Sequence, residues 1–326
     1  MVRASSSPAC VAEGLSAQKP PGPMLTRMQE YPVGRGQGPH DVAPAADGGV
    51  WYTAQRSGEL GWLDSKTGAT RMVKLGAGSA PHGVIVGPDG APWVTDGGLN
   101  AIVRVDPATN AVRRFDLPAS RPNANLNTAT FDRAGSLWFT GEGGIYGTLD
   151  PRTGAMAVFD APRGAGPYGI ATTASGEVYF ASLAGSYVGR IDVATGRASV
   201  LDPPTPGQGA RRVWPDSCGR LWITEWNAGK LASYDPATKS WHEYVLDLSS
   251  HRTAQPYAVY VGEGDVVWIT DFAQNAILDF DIASGTYSGH PIPTAGAEVR
   301  QLAGRTGEIW GAESGTDKLV VIRLGP

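Results

Sequence analysis

One motif recurs seven times along the chain, and its near-constant spacing limits the available folds more than any other feature. An aromatic residue that opens a short apolar strand falls at Trp51, Trp93, Trp138, Tyr179, Trp222, Trp268 and Trp310, at steps of 42, 45, 41, 43, 46 and 42 residues. After this marker come Val-Thr-Asp, Phe-Thr-Gly or Ile-Thr-Glu, then a third strand ending in an Asp-led turn such as "VDPATN" (105–110) or "LDPRTG" (149–154). Asp bonds its own backbone in such a turn, Pro presets φ, and Gly accepts positive φ. A fourth strand follows, as in "VRRFDLP" (112–118). Each unit is therefore a four-stranded meander, and seven of them in series predict an all-β, seven-bladed β-propeller.

The strand count shows how such a ring would close. The last unit supplies "VRQLAG", "EIWGAE" and "LVVIRL" and is one strand short, while an orphan strand, "LTRMQEYPV" (25–33), precedes the first unit. That N-terminal strand is expected to complete the seventh blade, which removes two open sheet edges. No linker interrupts the repeats, so residues 25–326 read as a single domain. Residues 1–24, rich in Ser, Ala and Pro, read as a disordered tail without the continuous apolar core of a secretion signal. The compartment is left open: cytoplasmic or, if a signal segment has been trimmed, periplasmic or secreted.

The 44 Gly and 25 Pro among 326 residues, with 18% charged residues, suit a turn-dense β protein. A formal net charge of −4 and the lack of a Lys/Arg run argue against a nucleic-acid partner. No apolar stretch is long enough for a transmembrane helix. Cys10 and Cys218 show no metal or redox spacing. The expected state is a monomer acting on a small-molecule or cyclic peptide ligand.

In a propeller the innermost strand of each blade starts at the channel mouth to which the second strand returns. Two rings of side chains follow. The first, eleven residues before the marker, reads His40, His82, Asn127, Tyr168, Arg211, Tyr257 and either Val299 or Arg300. The second, three residues after it, reads Ala54, Asp96, Gly141, Ser182, Glu225, Asp271 and Glu313. Gln55, Asn123, Asn125, Glu142 and Arg212 lie within a few residues of these positions, and Trp226 and Phe272 directly follow ring members. One mouth of the channel is thus the expected site, although a polar lining also serves simply to hydrate a channel. His242, His251 and His290 fall on outer strands or loops and read as surface residues, and the marker Trp residues read as core.

The stretches "PHGVIVGPDGAPWVTD" (81–96), "GPYGIATTASGEVYFAS" (166–182) and "LWITEWNAGKLASYD" (221–235) resemble the virginiamycin B lyase (streptogramin lyase) family. The resemblance runs through all seven repeats. It implies a Mg²⁺ ion, or another divalent cation such as Ca²⁺ or Mn²⁺, held by acidic side chains at the channel mouth. It also implies one histidine acting on a proton, a second histidine from the preceding blade touching substrate, and an elimination that opens a cyclic depsipeptide at its ester without water. Carried over, His82 matches the catalytic histidine, His40 the histidine one blade earlier, and Asp96 one metal-binding acid. Ala80 stands where the second acid is expected. Arg211 and Tyr257 stand beside "ITEW", where the family has histidines, so the matching histidines lie in the first two blades.

Oxygen ligands suit Mg²⁺ or Ca²⁺, which makes Asp96, Glu142, Glu225, Asp271 and Glu313 the candidate metal residues. Asn127, Tyr168, Arg212, Trp226, Tyr257 and Arg300 are the candidate substrate contacts. Three functions compete at this point: a metal-assisted streptogramin-type lyase, a metal-dependent lactonase or esterase, and a noncatalytic propeller binding a ligand or protein. Fold does not choose among them.

Overall fold

The computed structural model describes residues 25–246 and 253–325. The tail expected over 1–24 and the histidine at 251 lie outside the described residues. The chain forms seven four-stranded antiparallel sheets, six of them built from consecutive strands. The first blade runs Pro39–Pro44, Gly49–Ala54, Glu59–Asp64 and Thr70–Lys74 from the channel outward. Among the described residues no helix is long and apolar enough to cross a membrane.

The seventh sheet confirms the expected closure. Its inner strands are Val299–Arg305, Glu308–Glu313 and Lys318–Leu324, and Leu25–Pro32 pairs antiparallel with the last of these, Glu30 opposite Val320. The joint is locked by side chains as well. Glu30 accepts from Lys318 Nζ at 2.6 Å and Thr294 Oγ1 at 2.7 Å, while Tyr31 donates to the Ser65 carbonyl of blade one at 2.8 Å.

The core lies between blades. All seven markers, six Trp and one Tyr, are at 2% exposure or less in mixed clusters; Trp51, for example, packs with Val84 and Val94 of the next blade. Trp310 of blade seven joins Val42 and Tyr52 of blade one in the same way.

Every innermost strand carries a β-bulge at its mouth end. In blade one Pro39 faces Ala54 and Val42 faces Tyr52, so His40 and Asp41 share the single opposite residue Thr53. A bulge re-aims side chains that strict alternation would send to opposite faces. The repeated Thr holds the bulge. Thr53 Oγ1 accepts from the Asp41 N–H at 2.9 Å and donates to the His82 carbonyl of the next blade at 2.8 Å. Thr224 does the same between Arg212 N–H, at 3.1 Å, and the Tyr257 carbonyl, at 2.9 Å.

Candidate active site

The bulges bring the first ring together. Val299 pairs with Glu313 as Pro39 pairs with Ala54, so the seventh ring member is Arg300. Counting back from Trp310 overshoots because the hairpin is one residue tighter: Pro44 pairs with Val50, whereas its counterpart Gly304 pairs with Ile309.

The two histidines touch, with ring centroids 3.8 Å apart. His82 Nδ1 faces the Asn127 carbonyl at 3.0 Å, so that nitrogen carries the proton and donates. Its Nε2 is then the basic nitrogen, with Asn127 Nδ2 at 3.2 Å and Tyr168 Oη at 3.4 Å beside it. His40 Nδ1 donates to Asp41 Oδ1 at 2.8 Å, which likewise leaves its Nε2 as a base. Burial, then the nearby Arg212, Arg300 and Arg211 cations, hold His40 well below the usual imidazole range. Burial and the adjacent His40 do the same to His82. Both imidazoles are therefore neutral at pH 7.

Beneath them lies a polar layer that strand-end counting does not reveal. Arg212, 5% exposed, donates to Asp41 Oδ1 at 2.9 Å and Thr128 Oγ1 at 2.8 Å. Gln301 Oε1 accepts from the Val42 N–H at 2.9 Å. Burial raises the Asp41 carboxyl, and Arg212 followed by His82 pulls it back. Asp41, Thr128 and Gln301 were not among the residues singled out from sequence. Each directly follows a ring member in the chain, and a bulge places two successive side chains on the channel.

Around the mouth, Tyr257 stacks on Phe272 with centroids 4.8 Å apart, and Trp226 meets both edge-on. Tyr168 Oη bonds Tyr257 Oη. Arg211 lies over the Tyr257 ring at 3.6 Å and donates to Tyr168 Oη at 3.3 Å. Burial pushes Tyr168 above the ordinary phenol range, so it stays a donor.

The acidic residues do not converge in this way. Asp96 is fully buried and occupied by its own loop, accepting from the N–H groups of Ala80 and Leu99, both at 2.9 Å, and from Ser79 Oγ at 2.5 Å. Asp271 accepts from the N–H groups of Gln255 and Ala273, and Glu313 from Thr316 Oγ1. Glu225 is buried with neither carboxylate oxygen bonded. Burial drives Glu225 up to about 8 and Glu313 up to about 7, and raises Asp271. Glu142 accepts from Asn125 Nδ2 at 2.7 Å and is also raised by burial.

Among the described residues, the one group of three acidic or histidine side chains with donor atoms within 4.8 Å is His40, Asp41 and His82. That set is rich in nitrogen, and its carboxylate is already engaged by Arg212 and His40. Mg²⁺ and Ca²⁺ demand a shell of oxygens. The residues present do not fit such an ion. His290, on the outermost strand of blade six, pairs with Asp279 at 2.6 Å, and His242 lies exposed on the outermost strand of blade five.

Comparison with known proteins agrees with this architecture. A streptogramin B lyase structure superposes with a TM-score of 0.83 at 22% identity, covering 92% of this chain and 98% of that one. Virginiamycin B lyase from Staphylococcus aureus gives 0.84 at 21% identity, over 92% and 99% of the two chains. A catalytically inactive histidine-to-alanine form of that enzyme with quinupristin gives 0.83 at 21% identity, with the same coverage. No curated protein matches the chain in sequence. The model of the virginiamycin B lyase family matches residues 23–251, well over half of the chain, and the chain therefore belongs to that family.

Proposed function

We propose that the channel mouth catalyses an elimination that opens an ester in a cyclic depsipeptide or a related substrate. The observation that carries this reading is the pairing at one nitrogen: a neutral His82 Nε2 with two donors, Asn127 Nδ2 and Tyr168 Oη, 3.2 and 3.4 Å away. A hydrogen beside a carbonyl is weakly acidic, and removing it needs a base of suitable pKa together with donors aimed at the developing enolate oxygen. His82 takes the proton. Asn127 and Tyr168 hold the oxygen. The freed electron pair forms the new double bond, and the C–O bond one carbon further on breaks to release a carboxylate. His40, fixed by Asp41, packs against the base and bounds the substrate, while Trp226, Tyr257 and Phe272 supply an apolar rim.

The test is mass spectrometry of quinupristin and of simple lactones after incubation with the protein. Elimination gives a linear product of unchanged mass, and hydrolysis adds one water. His82→Ala is expected to lower turnover by about 10²–10⁴ with the fold intact by circular dichroism. His40→Ala is expected to act chiefly on KM. A product heavier by one water replaces the lyase with a hydrolase, and no product from either panel removes the enzymatic reading.

A further inference from the structure

Three guanidinium groups surround the mouth, and they are not equivalent. Arg212 is neutralised by Asp41 at 2.9 Å, and Arg300 by Glu298 at 2.8 Å. Arg211 makes no ion pair among the described residues, and Glu142, whose carboxyl feels its charge, is hydrogen-bonded to Asn125 instead. The Arg211 hydrogen bond goes to the Tyr168 hydroxyl at 3.3 Å, and its buried Nε bonds nothing. The group is nevertheless firmly placed, lying 3.6 Å from the Tyr257 ring centre, 4.6 Å from Tyr168 and 4.8 Å from Trp226. A guanidinium held by its faces keeps the N–H groups outside the Tyr168 bond uncommitted, and such donors match the oxygens of a carboxylate.

We propose that Arg211 is the carboxylate-binding residue of this channel and receives the carboxylate that departs when the ester C–O bond breaks. The proposal rests on the elimination reading for its catalytic half and on the geometry alone for its binding half. The balance is simple. The proton passes to His82 Nε2, its bonding pair becomes the carbon–carbon double bond, and the C–O pair leaves on the carboxylate oxygen. Tyr168 Oη, bonded to Arg211 and 3.4 Å from His82 Nε2, joins the anion subsite to the base. The adjacent Trp226, Tyr257 and Phe272 rings favour an acid with an aromatic or bulky apolar body.

The binding half is read by calorimetry in buffer containing EDTA, with N-acetyl-L-phenylalanine and N-acetyl-L-phenylalaninamide as probes. The two differ in charge and hardly in shape. The acid is expected to bind about tenfold or more tightly than the amide. Arg211→Met should erase that preference, Arg211→Lys should retain part of it, and Arg300→Met should leave most of it, all with unchanged circular dichroism. Equal binding of the two probes, no binding of the acid, or a preference that survives Arg211→Met overturns the proposal. If the acid preference holds while quinupristin and the lactones give no elimination product, the lyase reading falls and the anion subsite stands. If elimination occurs without any acid preference, Arg211 loses its role and the lyase reading stands.

Discussion

The two ends of the central channel are built from the same seven innermost strands, yet they differ in kind. At one end lie His40, His82, Asn127, Tyr168 and Arg211, with the buried Asp41–Arg212 pair beneath them. At the other, beyond that pair, opens a cavity of about 550 Å³ lined by Val42, Val84, Ala129, Ile170, Val213 and Leu302, with Phe131 and Trp214 further out. Arg212, Asp41, Thr128 and Gln301 border this cavity and the histidines do not, so the polar layer is a floor between two compartments. The bulge makes the difference. On its mouth side two successive side chains are turned to the channel, room for a polar network. Past it, the strands resume regular pairing, and their residues pack blade against blade.

If the floor joins the two ends, breaking it should cost more stability than any change confined to one end. Arg212→Met leaves the buried Asp41 carboxylate without its ion-pair partner, an expected loss of about 3–5 kcal/mol in urea unfolding. Adding Asp41→Asn should recover much of that loss, because the uncompensated charge is then gone. A single-variant cost near zero would make the floor a hydrated plug rather than a structural tie.

The second contrast separates stability from chemistry. Leu302 is 1% exposed at the apolar end, and Leu302→Ala should cost about 2–3 kcal/mol while leaving turnover within about twofold. His82→Ala should show the opposite pattern, with turnover lost and unfolding shifted only by about 1–2 kcal/mol, the cost of one buried hydrogen bond to the Asn127 carbonyl. If both variants lowered activity to the same degree, the two compartments would be one site.

Much of this was legible in the sequence, for physical reasons that also mark where reading failed. A period in the forties with Asp-led turns requires a meander repeat, and an orphan strand at 25–33 has no other edge to join. Six of the seven first-ring residues follow from counting. The seventh stays open between Val299 and Arg300 in the sequence, and the Arg305–Glu308 hairpin, one residue tighter, decides for Arg300. Asp41 stays hidden in the sequence because period-two alternation turns it away from the channel and only the bulge brings it back. The opposite error touched the carboxylates. Strand-end position suggested that Asp96, Glu225, Asp271 and Glu313 gather at the mouth, whereas the side chains of Asp96 and Asp271 turn into their own loops to bond backbone N–H groups.

A pH titration of stability sharpens the comparison further, because the two kinds of buried group pull in opposite directions. His40 and His82 titrate lower folded than unfolded, so the unfolded chain binds more protons and stability falls as pH drops below about 6.5. Glu225, at about 8, and Glu313, at about 7, titrate above their ordinary 4.5, so their contribution is lost as pH rises between 4.5 and those values. Between pH 5 and 6.5 the two slopes offset each other. Replacing both histidines with Asn should therefore turn a shallow profile into one where stability rises on acidification, by up to about 1.4 kcal/mol per pH unit for each such acid. Glu225→Gln should tilt the profile the other way. A profile unchanged by the histidine pair would mean that both imidazoles titrate alike folded and unfolded.

The smallest expected effect tests whether the Thr clip sets the polar end's geometry. Thr53 joins the bulge carrying Asp41 to the carbonyl of His82, and the same position holds Ala181 in blade four and Ala312 in blade seven. At the seam between blades seven and one, Gln301 bonds Val42 N–H and ties the blades at a neighbouring residue. Thr53→Val keeps the shape but leaves a buried donor and acceptor unpaired, which should cost about 1–2 kcal/mol, while Thr53→Ser should be close to neutral. Because the lost bond fixes the strand that carries His82, Thr53→Val should also speed amide exchange at Asp41 and lower turnover several-fold, with Leu302 and the apolar end unaffected. Equal exchange rates at Asp41 in Thr53→Val and the parent protein would show that packing of the blades, and not the clip, holds the histidines in place.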